Sequence, residues 1–202
     1  MHERFSLTPN VIRVMDFLIR NFEERLSINT IGKRLGLSPR GAHQILKNLE
    51  KIDAIVPERI GNAIYYRPNW EGASGRKMME FIMLRNDLSK YAQVQAEDLS
   101  PLKERTHAAV LFGSVLTKGK DAADIDVLLV YDRKNFGKVE KSLKEIRSLK
   151  AKPIHQVAQT PRDLEESIRK HDAVILNILR TGAVLWGPET LVEAIRHGAN
   201  RQ

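Results

Sequence analysis

Cysteine is absent from all 202 residues. A disulfide framework and a thiolate metal site are therefore both excluded, and the composition fits a reducing compartment. The chain also lacks any apolar stretch approaching the roughly eighteen residues a membrane-spanning helix requires. Its start, Met1-His2-Glu3-Arg4, is charged rather than apolar. These absences lead to the expectation of a cytoplasmic protein with no membrane partner. Internal repeats and low-complexity segments are missing too, which leaves ordinary globular domains.

Hydrophobic residues make up 42% and charged residues 29% of the chain, values that allow a buried core and argue against a disordered tail or a fibrous repeat. Two small domains fit the length better than one, because each half carries its own apolar segments. Basic residues outnumber acidic ones, giving a formal net charge of +8. Such an excess suits a polyanionic partner, although a generally basic soluble protein would show it equally.

From Asn10 to Phe22 the residues Val11, Val14, Met15, Leu18, Ile19 and Phe22 recur at helical spacing after the start signal Thr8-Pro9. A shorter helix is expected over Thr30 to Leu35, stopped by Gly36 in the left-handed conformation that a helix end favours. Ser38 then caps a third helix with Pro39 in its first turn, where the missing N–H costs nothing. That helix turns Ala42, Ile45, Leu46, Leu49 and Ile52 inward. Arg40, Gly41, His43, Gln44, Lys47 and Lys51 are left outside. Ala54 to Ile60 and Ala63 to Arg67 read as two strands around Gly61-Asn62, with Arg59 and Arg67 expected beside the turn.

Leu26 to Pro68 resembles the winged-helix regulators of bacteria and archaea in its Leu-Gly-Leu-Ser turn, its Leu-Glu-Lys helix end and its Tyr-Tyr-Arg second wing strand. Asp53 stands where those proteins usually have a helix-ending glycine, and aspartate tolerates the same backbone. The resemblance implies a double-stranded DNA partner and a candidate DNA-binding set of Ser38, Arg40, His43, Gln44, Lys47, Arg59 and Arg67. Arg40 suits guanine and Gln44 adenine, while Lys47, Lys51, Arg59 and Arg67 suit phosphates. His43 also fits a merely solvated position. Winged helices serve as protein-binding modules as well. A homodimer is expected, since many helix-turn-helix proteins bind as two-fold pairs.

Trp70 to Gly75 carries the glycines and small residues of a hinge, and Arg76 to Tyr91 is read as one helix offering Met79, Ile82, Met83 and Leu84 for burial. The expected division is a winged-helix domain over 1–70, a linker helix within 71–97 and a second domain over 98–202.

The second domain opens with an apolar run, Ala108 to Phe112, ending in Gly113-Ser114. After a loop with Lys118, Gly119, Lys120 and Asp121 comes Asp124-Ile125-Asp126, followed by a second apolar strand through Tyr131. Side chains alternate along a strand, so Asp124 and Asp126 project to one side. Two carboxylates so close repel each other unless a cation lies between them, and oxygen ligands suit Mg²⁺, which in turn neutralises triphosphates. Gly113 would let backbone amides approach a phosphate, with Ser114 adding a hydroxyl at a helix start.

Phe112-Gly113-Ser114, Asp124-Ile125-Asp126 and the later Gly182 to Gly187 resemble the nucleotidyltransferase superfamily that includes DNA polymerase beta. The resemblance spans about Leu102 to Ala194 and implies an α+β fold with a mixed sheet and flanking helices. It also implies a Mg²⁺ cofactor on Asp124 and Asp126 and a nucleoside triphosphate held by Gly113, Ser114 and Lys118. Active members carry a third carboxylate on the next strand. Here that strand, Pro153 to Thr160, has none: His155 or Gln156 falls at the place, and Asp163 comes only after Pro161. His155 is the candidate base for transfer of a nucleoside monophosphate to a hydroxyl. The alternatives are a catalytically incomplete nucleotide-sensing or dimerisation domain, or an antitoxin-like partner of a small helical protein.

Further helices are expected over Phe136 to Lys150, with Lys138, Lys141, Lys144 and Lys150 outward, and over Pro161 to Lys170, Ala173 to Arg180 and Glu189 to His197. Trp186 reads as a core anchor, and His107, His171 and His197 show no zinc spacing.

Overall fold

A computed structural model describes residues 5–199; the charged start Met1 to Arg4 lies outside the described residues. The fold is α+β, and the chain divides into two compact units, Met1–Ile82 and Met83–Gln202.

In the first unit, α1 (Pro9–Arg20) begins where Thr8 Oγ1 accepts from the Val11 amide, and it buries Val14, Met15 and Leu18 completely. A short strand β1 (Leu26–Ser27) leads into α2 (Ile28–Leu35), which starts two residues earlier than its apolar pattern indicates because Ser27 caps it. Gly36, at φ 64° and ψ 32°, ends α2. Helix α3 (Pro39–Lys51) starts with Ser38 Oγ accepting from the Gly41 amide at 3.1 Å and buries Ala42, Leu46 and Leu49. Ile45 and Ile52 are only half-buried. Strands β2 (Ile55–Ile60) and β3 (Ala63–Pro68) pair antiparallel around Gly61-Asn62, and β1 adds to the other side of β3, giving the order β1-β3-β2.

Asp53 takes φ 61°, the left-handed backbone where the related pattern has glycine. Its side chain accepts from Asn69 Nδ2 at 2.7 Å, and its carbonyl accepts from the same nitrogen at 3.2 Å. This latch overturns the expectation of a hinge over Trp70 to Gly75. Trp70 is 2% exposed and meets Phe22 edge-on, with ring centroids 6.1 Å apart. A Cβ on Gly72 would stand 2.6 Å from the Asp53 carbonyl, and one on Gly75 would stand 3.0 Å from it. These glycines are small because the backbone packs there, which is a long-range requirement that composition does not reveal. The single helix expected over Arg76 to Tyr91 is also two: α4 (Ala73–Met83) and α5 (Lys90–Asp98), the latter capped afresh by Ser89. Leu84, expected to be buried, lies past the end of α4 and is 45% exposed.

In the second unit β4 (Ala108–Phe112), the one-turn helix α6 (Ser114–Lys118) and β5 (Ile125–Val130) are followed by α7 (Phe136–Ser148) and β6 (Ile154–Gln159). Helices α8 (Pro161–Arg169) and α9 (Ala173–Thr181), strand β7 (Ala183–Trp186) and helix α10 (Pro188–Ala199) complete it. The sheet is mixed, ordered β6-β5-β4-β7: β4 runs antiparallel to β5 and β7, while β5 and β6 run parallel. A parallel pair needs a crossover, and α7 supplies it. One sheet face, with Ala109, Leu111, Ile125, Val127, Leu129 and Tyr131, packs with Val139 and Leu143 of α7 in a single core. Helices α8, α9 and α10 contact the sheet at β6 and β4. Both faces of β5 are thereby dry, which is why Val127 to Val130 reads as an unbroken apolar run.

Lys150 departs from the outward lysine row expected of α7. It follows the end of that helix, its side chain is 14% exposed, and its ammonium bonds Asp98 and, at 2.7 Å, Gln95 Oε1. A charge so covered needs those two acceptors in place of the water it has lost.

Candidate functional site

Strand β4 ends at Phe112, which lies opposite Asp126 on β5. The chain then turns at Gly113, with φ 78° and ψ −156°, a backbone region open only to glycine. A Cβ there would also collide with Asp126 Oδ2. The turn therefore needs glycine twice over, for its backbone and for the carboxylate packed against it. Ser114 opens α6 and donates from Oγ to Asp124 Oδ1 at 3.4 Å, a long bond. With only five residues, α6 has little macrodipole to offer an anion.

Asp124 precedes β5 by one residue and Asp126 is its second residue, so the two side chains emerge on the same side. The parallel register sets His155 of β6 beside Asp126 and Gln156 beside Val127. Of the two β6 residues at the third position, the structure thus brings His155 to the carboxylates and sends Gln156 to the opposite face, where its amide bonds Glu140. His155 Nδ1 stands 3.5 Å from Asp124 Oδ2 and 3.7 Å from Asp126 Oδ1. One ligand atom from each of the three residues lies within 4.8 Å of the others. Asp163 is not at this site; it forms a reciprocal capping box with Thr160 at the start of α8.

Burial pushes the Asp126 carboxyl above the usual carboxylate range, the neighbouring Asp124 charge pushes it further, and His155 partly opposes both. Among the described residues no lysine or arginine pairs with Asp124 or Asp126. Lys118, the last residue of α6, and Asp121, in the turn that follows, are exposed, and Lys118 makes no ion pair with the cluster among the described residues. A group of two carboxylates and one imidazole, open on one side through a histidine 62% exposed, has the donor chemistry of a divalent-cation site.

On the first unit, Arg40, His43, Gln44 and Lys47 form an exposed row on the first two turns and middle of α3, while Ser38 is engaged as its cap. Gln44 donates to Asn48 Oδ1 at 2.9 Å, which leaves its second amide hydrogen and its Oε1 for another partner. Arg59 lies opposite Ile64 near the hairpin turn, but Arg67 lies opposite Val56 at the far end of the hairpin. The odd spacing from Ile64 to Arg67 also places the two arginines on opposite faces of the sheet. Arg67 is therefore not beside the turn.

A cleft of about 410 Å³ opens near the C-terminal ends of β5 and β6, lined by Tyr131, Arg133, Phe136, Gln159 and Asp163. No local pattern of residues signals it, because its walls come from the ends of β5 and β6 and from the starts of α7 and α8, which only the folded sheet brings together. Trp186 is buried and donates from its indole to Thr106 Oγ1 at 3.0 Å, as a core anchor does.

No family model matches the chain, and no curated protein matches it. A solved structure of ZitR from Lactococcus lactis, in a mutant form with one cysteine replaced by serine, is similar over 52% of this chain and 78% of its own, at 18% identity and a TM-score of 0.31. That likeness is too slight to carry an argument. No helix among the described residues is long and apolar enough to cross a membrane.

Proposed function

We propose that the protein is a DNA-binding regulator of winged-helix type whose second unit, of nucleotidyltransferase type, binds a nucleotide together with a divalent ion. The observation that carries the second half is the convergence of Asp124, Asp126 and His155 beside a turn that only Gly113 can make. Two adjacent acids with no lysine or arginine partner among the described residues fit a divalent ion, and the carboxylates of Asp124 and Asp126 would hold it. When bound, such an ion neutralises phosphate charge. Gly113 leaves the turn bare enough for phosphates to approach its amides, and Ser114 offers a hydroxyl at the same place. The DNA-binding half is supported by α3, which presents Arg40, Gln44 and Lys47 to solvent, and by the hairpin with Arg59 near its tip.

A second reading has a specific observation behind it. His155 takes the third position on β6, where transfer of a nucleoside monophosphate would need a group to accept the hydroxyl proton, and a neutral imidazole can do so. One experiment separates the two: incubation with a divalent cation and labelled nucleoside triphosphates, beside Asp124→Asn. Retention of nucleotide by the parent but not the variant, without label transfer to any acceptor, is the result expected of the regulator. Transfer lost in Asp124→Asn establishes the enzyme instead. Retention or transfer unaffected by that substitution removes the metal–nucleotide reading altogether.

A further inference from the structure

We infer that the ion held by the second unit is a divalent first-row transition ion rather than magnesium, with His155 Nδ1 as its third protein ligand beside Asp124 and Asp126. The inference rests on the metal reading given above and adds the identity of the ion and of one ligand.

The geometry is close to what such a centre needs. Ligand atoms about 2.1 Å from a common ion stand roughly 3.0 to 3.4 Å apart. His155 Nδ1 is 3.5 Å and 3.7 Å from the nearest oxygens of Asp124 and Asp126, a few tenths of an ångström from that range, and the ligand atoms of all three residues lie within 4.8 Å of one another. The three residues are mounted on rigid parts of the fold: Ile125 and Ile154, which pair with each other and flank them, are 1% and 3% exposed. Gly113 leaves room for the Asp126 carboxylate, since any Cβ there would collide with Oδ2, while Oδ1 faces His155.

The donor set then discriminates between ions. Magnesium takes oxygen ligands and gives up its water reluctantly, so a nitrogen in place of the third carboxylate weakens its hold. Imidazole with carboxylates suits manganese, iron, cobalt or zinc. The neighbouring residue on β6 supplies no alternative oxygen, because Gln156 faces away and bonds Glu140. Ser114 donates to the other oxygen of the Asp124 carboxylate, Oδ1, and so orients it while Oδ2 faces His155. A ligating Nδ1 is also unavailable as a base.

The test is pulsed electron paramagnetic resonance on the full chain loaded with Mn²⁺, which reads directly bound nitrogen. Nitrogen coupling is expected in the parent. It should vanish in His155→Asp, which retains Mn²⁺ through three carboxylates, and the bound signal itself should vanish in Asp124→Asn. Competition by Mg²⁺ is the second readout: the ratio of Mn²⁺ to Mg²⁺ affinity should fall by at least about fivefold in His155→Asp. His155 is exposed, so its replacement does not threaten folding. Mn²⁺ bound without nitrogen coupling, or an unchanged ratio, overturns the inference and leaves the carboxylate site standing. No Mn²⁺ bound by the parent overturns the metal reading itself.

Discussion

At Gly113 the backbone and the neighbouring carboxylate both exclude a side chain. Alanine there costs about 1–3 kcal/mol of backbone strain, and it must also displace Asp126. The expected outcome for Gly113→Ala is a folded but less stable protein that loses divalent-ion binding; retained binding would show that the turn does not shape the site. Asp126 itself is held in a setting that disfavours its charge. Its folded value lies above the unfolded one, so its contribution to stability is full below about pH 3.9 and is lost as pH rises through the folded value. Asp126→Asn is therefore expected to melt at a higher temperature than the metal-free parent at neutral pH, with the difference narrowing in acid. A variant less stable than the parent across the range contradicts this. The acid pair and the glycine turn were legible in the sequence because strand alternation and turn chemistry are local rules. The choice between His155 and Gln156 was not, since it depends on the register between two strands joined by a crossover.

The starts of α1 and α3 were also legible for a local reason: Thr8 and Ser38 each accept from an amide three residues ahead, as Thr160 does before α8. The start of α8 is the most complete of these. Thr160 Oγ1 donates to Asp163 Oδ2 at 2.7 Å, and this bond holds the Asp163 carboxyl below the usual range. A depressed value means that the contribution is present above the unfolded value near pH 3.9 and is lost as pH falls through the folded one. Thr160→Ala is expected to cost about 1 kcal/mol, measured by denaturant unfolding at pH 7, and less at pH 2. An equal cost at both pH values would mean that Asp163 plays no part. Elements whose character depends on distant partners were misjudged from sequence. Gly72 and Gly75 resemble a hinge until the Asp53 carbonyl is seen against them. Lys150 resembles one more surface lysine until Asp98 and Gln95, more than fifty residues earlier, enclose it.

For the molecule as a whole, the proposed DNA-binding role, with the excess of basic residues and the exposed row on α3, leads to the prediction of duplex DNA binding that weakens steeply with salt. Each phosphate contact contributes about 0.9 to the slope of log affinity against log salt concentration. Lys47→Ala is expected to lower that slope by about one contact, whereas Arg67→Ala, far from the hairpin tip, should change it less than Arg59→Ala does. Binding indifferent to salt removes the DNA reading of the first unit. The second unit's chemistry depends on one convergence of three side chains, and calorimetric titration of the full chain with Mn²⁺ tests it most directly. One ion per chain, abolished when Asp124 and Asp126 are both replaced by asparagine, is the expected result; the same heat in parent and double variant would contradict it.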